Sequence, residues 1–392
     1  MRESYLIDAV RTARGRQSRP KKGFVGEFQN IHPASLGGKL VDAILERNPN
    51  LPAEKVEDVI YSTTTVCKEQ ASDIARNIVL SSNLPQTCSG VHLNRYCSGA
   101  LQASAFASAS VRCGDYDAVM AGGGEHMNMC PIGSDMDYEH LPFSPEMTQK
   151  YEIGSQGAAA EIIAEKYNLS QEEINAFSVK SQQKAHAATQ AGKFKNEIIP
   201  VTWIDQDGNE QTLDTDTNIK PDTTAEKING LPRPFKEGGV IHAASASGIC
   251  DGSSLALWVS GECVREFDLK PRARILSNAN YGVDPKEMLD GVIPGTELAL
   301  KRAGLKIDDI DRFEINEAFA SVPLAWMKTL NVSEEKVNVN GGAIAMGHPL
   351  GSTGGILLAT MINELERENL RYGLITLCAA FGMSGTMIIE RI

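Results

Sequence analysis

Two far-separated stretches of the chain run through the same order of parts, and this constrains the fold more than any other feature. PAEKVEDVIYSTTTV (52–66) and KIDDIDRFEINEAFA (306–320) each place an acidic turn before a strand-like run and a polar residue just after it. Downstream of each comes a special loop, then a helix of small residues, then an apolar strand ending in glycine. The first copy reads NRYCSGALQASAFASASVRCGDYDAVMAGGG and the second GHPLGSTGGILLATMINELERENLRYGLITLCAAFG. A duplicated half is the natural inference, and pseudo-symmetry would bring the two special loops together. Short apolar runs at 5–10, 56–61, 118–121 and 374–377 alternate with longer stretches of helical spacing, the mark of an α/β architecture. Any α/β protein repeats strand and helix, so the pattern alone also admits an unduplicated sheet.

Between the copies, 125–244 reads as an inserted cap with Pro/Ser-rich turns and a Thr/Asp-rich stretch. Its one clear helix spans 170–192: Ser170 followed by Glu173 forms a capping box, and Gly192 is the stop. The expected division is a first half of 1–124 with 245–270, the cap, and a second half of 271–392.

Bulk properties narrow the function. A chain of 392 residues with 42% hydrophobic content can bury two cores or one large layered one. The formal charge of -12 argues against a nucleic-acid or anionic-membrane surface, because polyanion binding needs a basic field. Eight cysteines without a C-x-x-C pair suggest neither a disulfide framework nor a zinc site. No apolar run reaches the roughly 18–20 residues that span a bilayer. The first residues run directly into a strand-like stretch and the last three are not a peroxisomal tripeptide, so the expected location is cytoplasmic.

Cys97 sits between GVHLNRY and the helix-forming SGALQASAFASASVR, which stops at Gly114. A thiol at a helix amino terminus is expected to have its pKa drawn below the ordinary value of about 8.5. Ser98, Gly99 and Ala100 leave room for a bulky group. A buried structural cysteine is the plainer alternative. His348 lies in NGGAIAMGHPLGSTGG, where six glycines shape a loop that allows close backbone approach to a ligand. Without a following Gly-Lys-Ser/Thr it is no P-loop, and GGGEHM at 122–127 is an equally poor dinucleotide fingerprint. Cys378 closes the last core strand, where open α/β sheets place ligand-binding loops. Asn316 follows the strand RFEI and could simply cap a helix EAFASVPLAWMK.

Taken together these motifs resemble the thiolase family across essentially the whole chain: Cys97 in a CSGALQA-type nucleophile motif, Asn316 in NEAFA, His348 in the glycine-rich loop, and Cys378 in the final loop. AVRTARG and RPFKEGGVIHAASASGICDGSS are also similar to family segments, the latter to its coenzyme-A-binding stretch. The resemblance implies a layered αβαβα fold of two similar halves with an inserted cap. It further implies an acyltransferase that makes or breaks 3-ketoacyl-CoA through an acyl-Cys97 intermediate, as in fatty-acid β-oxidation. His348 would take the Cys97 proton and Cys378 would protonate the leaving enolate. His348 with a water on Asn316 would form one oxyanion hole, and the backbone N–H groups of Cys97 and Ala380 a second.

The same resemblance places Ser247 on the pantetheine, Phe235, Ala243 and Phe319 along the tunnel, and Lys220 near the nucleotide phosphates. It implies acyl-CoA and CoA as partners, no metal, no cofactor beyond coenzyme A as substrate, and a homodimer or homotetramer. Two departures bear on substrate shape: the final loop reads CAAFGMSG where many members have C-x-G-G-G, and the cap reads YEIGSQGAAAE where many have a His-Met-Gly run. The rivals are a 3-ketoacyl carrier-protein synthase, which resembles a Cys-His-His pattern, and a silent acyl-CoA-binding relative.

Overall fold

A computed structural model describes residues 2–136, 142–205 and 207–392; part of the PIGSDMDYEHLPFSPE turn region lies outside these residues. The first half contributes β1 (Ser4–Thr12), the short β2 (Gly15–Arg16), α1 (Pro33–Arg47), β3 (Val56–Ser62), α2 (Ile74–Leu80), β4 (Ser89–Leu93), α3 (Gly99–Cys113) and β5 (Ala118–His126). The middle holds α4 (Pro145–Lys150), α5 (Gln156–Lys166), α6 (Gln171–Gln190), β6 (Ile198–Ile199), β7 (Val201–Ile204), β8 (Glu210–Leu213) and α7 (Ala225–Asn229). Then come β9 (Cys250–Ser260) and α8 (Gly261–Glu266), followed by β10 (Ala273–Gly282), α9 (Val292–Ala303), β11 (Arg312–Ile315), α10 (Ser321–Leu330), α11 (Ala343–Met346), α12 (Thr353–Arg367), β12 (Tyr372–Ala379) and β13 (Met383–Arg391).

Strand pairing displays the duplication. Outward from the seam the first half runs β1-β9-β5-β3, antiparallel, antiparallel, then parallel. The second half runs β10-β13-β12-β11 with the same three relations. A single antiparallel register, Leu6 opposite Ala273, joins them. The acidic turn ahead of each copied strand is a short 3-10 turn, Ala53–Lys55 before β3 and Ile307–Asp309 before β11.

Three apolar cores separate the layers. One lies between α1, α2 and the outer face of the first half, with Leu40, Ile44, Ile78 and Leu257. A second lies beneath α9 and α10, with Val292, Phe313 and Trp326. Between the two half-sheets sit α3 and α12, whose Leu101, Ala107, Leu358 and Ile362 pack with Trp258 and Leu377. The order is therefore helix, sheet, helix, sheet, helix. Small residues make the central layer thin enough: a Cβ on Gly354 would come within 2.5 Å of the Leu101 nitrogen. The apolar patterning supplies the drive, each buried Leu or Ile contributing about 1.5–3 kcal/mol.

The predicted helix 170–192 appears as α6, with both capping-box bonds of Ser170 and Glu173, and Gly192 follows at φ +68°. A buried ionic knot ties the middle region to β1. Arg11 meets Glu197 at 2.7 Å and Asp216 at 2.9 Å, while Arg14 meets Asp216 at 3.0 Å, all of them 2% exposed or less. Among the described residues no helix is long and apolar enough to cross a membrane.

Candidate active site

Cys97 lies in the 3-10 turn Tyr96–Ser98, which runs straight into α3. Tyr96 adopts φ +48°, so the chain turns sharply before the sulfur. That turn packs against β12, which carries Cys378, and against the turn Leu350–Ser352 that follows His348. The two sulfurs are close enough that a Cys378 thiolate would raise the Cys97 pKa. Met127 and Leu350 complete an apolar collar around Cys97.

The expectation of a depressed Cys97 pKa is corrected. Burial outweighs the helix terminus and holds the thiol well above its ordinary value, with Cys378 and Glu125 adding to the rise and the residue's own backbone N–H opposing it. Burial likewise pushes Cys378 up to about 12. It presses His348 down to about 3, assisted by the Arg14 guanidinium. At neutral pH the resting site is therefore uncharged thiol, thiol and imidazole.

The imidazole is held in one tautomer. The Thr353 hydroxyl donates to the Pro349 carbonyl at 2.9 Å, so its oxygen accepts from His348 Nδ1–H at 2.6 Å. Nε2 is left as the unprotonated nitrogen. Asn316 Nδ2 donates to it at 3.3 Å, and Asn316 Oδ1 is buried without a partner among the described residues. Backbone bonding fixes the loop as well: the His348 N–H donates to the Gly248 carbonyl at 3.0 Å, and Gly347 sits at φ +101°. Thr353 escaped the sequence reading although it stands in the GSTGG run, because its role depends on which way a hydroxyl points.

Asn316 is not a helix cap, and α10 begins only at Ser321. The intervening backbone is already engaged: the Ser247 N–H donates to the Ala318 carbonyl at 3.0 Å, the Ala320 N–H to the Ser245 carbonyl at 2.8 Å, and Ala246 bridges Phe319. Glu317 turns inward, accepting from Ser181 at 2.6 Å, from Asn338 at 2.9 Å and from the Ile344 N–H at 3.1 Å. These competing bonds explain why helix propensity lost here.

The residues proposed for coenzyme A fall into two linked groups. Phe235 and Phe319 meet edge to face at 6.0 Å. Ala243, Ala246 and Lys220 line one cavity of about 90 Å³ with Arg19 and Asn218, and Ala246 connects it to the Phe319 side. Lys220 has its pKa lowered by burial and by Arg19. Ser247 is the residue strapped to Ala318. Ala380 follows β12 in the turn to Phe381 (φ +60°) and Gly382 (φ +75°). The Phe381 ring lies 5.3 Å from that of Tyr96 and 5.4 Å from that of Phe143, an aromatic cluster joining the Cys97 turn to the turn that follows the strand of Cys378. Among the described residues no three His, Cys, Asp or Glu side chains group as metal ligands would.

Comparison with known proteins matches the description "Thiolase, N-terminal domain" at residues 4–262 and "Thiolase, C-terminal domain" at 269–391. The chain is 38% identical over 396 residues to the 3-ketoacyl-CoA thiolase of Serratia proteamaculans, covering all of both chains. It is 42% identical over 408 residues to a steroid 3-ketoacyl-CoA thiolase of Mycobacterium tuberculosis, covering 100% of this chain and 95% of that one. The crystal structure of the Bacillus anthracis acetyl-CoA acetyltransferase superposes with a TM-score of 0.90 at 30% identity, covering 100% of this chain and 99% of the other. A duplicated layered fold, the Cys97 turn packed on the Cys378 strand and on the turn after His348, and family matches in both halves agree: the chain belongs to the thiolase family.

Proposed function

We propose that this chain catalyses reversible, CoA-dependent cleavage of a 3-ketoacyl-CoA to acetyl-CoA and a shortened acyl-CoA through an acyl-Cys97 thioester. The observation that carries the proposal is the packing of the Cys97 turn from the first half against the strand of Cys378 and the turn that follows tautomer-fixed His348 in the second. His348 Nε2 takes the Cys97 proton as sulfur attacks the ketone carbon. The carbon–carbon bond then breaks, and the acetyl-CoA enolate takes the Cys378 proton. Incoming CoA returns a proton to Cys378, its sulfur displaces the acyl group, and the departing Cys97 recovers its proton from His348.

Because the resting pair is neutral and buried, charge appears only as the attack proceeds, where N–H donors would meet it. Each such donor typically contributes about 3 kcal/mol. We assign the Cys97 and Ala380 amides to one oxyanion and His348 with an Asn316-held water to the other. Ser247, Ala243, Phe235 and Phe319 would line the pantetheine path and Lys220 would approach the phosphates. The division into 1–124 with 245–270, 125–244 and 271–392 belongs to the same proposal, as do a cytoplasmic location and a homodimer or homotetramer.

The test is thiolysis of acetoacetyl-CoA by the purified chain, with intact-mass detection of acyl-enzyme in the wild type and in Cys97→Ser. Acyl-enzyme in the wild type alone is expected. Decarboxylation of malonyl thioesters without thiolysis would favour the carrier-protein synthase instead.

A further inference from the structure

The pseudo-symmetry that builds the site also builds its counterpart, and Glu125 occupies it. The two central helices, α3 and α12, are each entered from a 3-10 turn, Tyr96–Ser98 and Leu350–Ser352. Counting back from Gly99 and Thr353, the residue equivalent to Cys97 is Gly351. The strand registers agree: Tyr61 opposes Gly122 as Ile315 opposes Thr376, which makes Gly124 the equivalent of Cys378 and Glu125 the residue just beyond. Cys97's turn packs on the end of β12, and Gly351's turn packs on the end of β5.

The second location has no room for a reacting pair. A Cβ on Gly351 would lie 2.9 Å from the Gly124 carbonyl oxygen and 3.0 Å from Glu125 Oε2. In its place the Gly351 N–H donates to Glu125 Oε2 at 2.9 Å. That oxygen also accepts from the Thr64 N–H at 2.8 Å, and Oε1 accepts from the Thr65 N–H at 3.0 Å and Gln70 Nε2 at 3.1 Å. Four donors converge on a side chain that is 2% exposed, a setting only an acceptor-only carboxylate satisfies. Three of those donors belong to the first half. The fourth belongs to the turn that carries the histidine loop into α12.

We propose that Glu125 is a positioning residue: a carboxylate filling the duplicate of the catalytic centre, where it pins the His348 loop of one half to the strand ends of the other. The inference rests on the proposed thiolytic activity. Because reacting groups are held to a fraction of an ångström, loosening this pin slows chemistry while leaving substrate binding largely intact.

Glu125→Gln keeps the reach but turns an amide NH2 against incoming donors, and Glu125→Asp keeps the charge but is one methylene short. Assayed in the full chain beside the wild type, both should lower kcat for acetoacetyl-CoA thiolysis by about 30- to 100-fold with KM within about threefold. Rapid-quench acylation of Cys97 should fall by the same factor, with circular dichroism unchanged. Cys97 faces Cys378 from β12 and Glu125 from β5, so its alkylation by iodoacetamide should move to lower pH in Glu125→Gln but not in Glu125→Asp.

Folded variants that both turn over within threefold of wild type would overturn the inference, as would full activity in Glu125→Asp alone, which would assign the effect to charge. If neither variant folds, Gln70→Leu removes one of the donors that orient the carboxylate and so loosens its bond to Gly351. A kcat loss of about 3- to 10-fold at unchanged KM is then expected, and an unchanged kcat refutes the pin. A wild-type chain without thiolysis would sink the activity and the inference together, whereas an active wild type with active variants sinks the inference only.

Discussion

Replacing Thr353 by valine tests the proposed base more sharply than deleting the histidine would. In the structure the Thr353 oxygen accepts from His348 Nδ1–H and its hydroxyl donates to the Pro349 carbonyl. Valine keeps the branched shape and removes both bonds. A buried Nδ1–H without an acceptor costs about 1–3 kcal/mol. The imidazole escapes that cost by moving its proton to Nε2, with the Asn316 amide turning its unpartnered Oδ1 to accept it, and Nε2 can then no longer take the Cys97 proton. At 1.4 kcal/mol per factor of ten, the productive tautomer falls about 5- to 150-fold. Acylation of Cys97, followed by rapid quench and intact mass, should slow by that factor, and KM should move less than about threefold. Thr353→Ser retains the hydroxyl and should stay within about threefold of wild type. A valine variant acylating at half the wild-type rate or better would show that the hydroxyl does not set the tautomer.

Three further outcomes follow. Cys378→Ala should still form acyl-Cys97 from acyl-CoA but lose deuterium exchange at the acetyl-CoA α-carbon; survival of that exchange, read by mass spectrometry, would make Cys378 structural. His348 is held neutral, with its folded pKa pressed down to about 3 from an ordinary 6.5, so the unfolded chain binds the extra proton as pH falls through 6.5 and stability is lost towards about 3. His348→Gln should therefore flatten the acid limb of denaturant-measured stability by roughly one proton, about 1.4 kcal/mol per pH unit; an unchanged slope would count against the buried neutral ring. Phe381→Gly should relieve a left-handed backbone cost of about 1–2 kcal/mol and lose ring contacts of about 0.5–1.5 kcal/mol each, leaving the melting temperature nearly unchanged. Opening that cluster should raise kcat/KM for bulky acyl groups relative to acetoacetyl-CoA by about fivefold or more, equivalent to about 1 kcal/mol; no change in that ratio would show that the cluster does not limit the acyl group.

The fold was readable because its signals are local and repeated: apolar strand runs, the Ser170–Glu173 box and the twin loop-helix-strand units all lie within short windows of sequence. Cys97, His348, Cys378 and Asn316 each had an ordinary explanation alone, and it was the resemblance of their four ordered motifs to the thiolase family that singled them out. What stayed hidden depends on contacts across the chain. The thiol pKa turned on how deeply Cys97 is buried, which helix position alone does not reveal. The start of α10 was displaced by backbone bonds to the 245–247 segment, and nothing in NEAFA announces those partners. Glu125 lies in a glycine run that looks like a failed nucleotide motif, and its importance appears only when the second half is folded against it.

The knot of Arg11, Arg14, Glu197 and Asp216 also limits how the molecule can move. Lifting the middle region off β1 would strand two guanidinium groups in a dry interior, which opposes a hinged-lid motion of this region. Burial is the main cause of the low His348 pKa, and the Arg14 guanidinium of the same knot adds to it, so the rivet also reaches the base electrostatically.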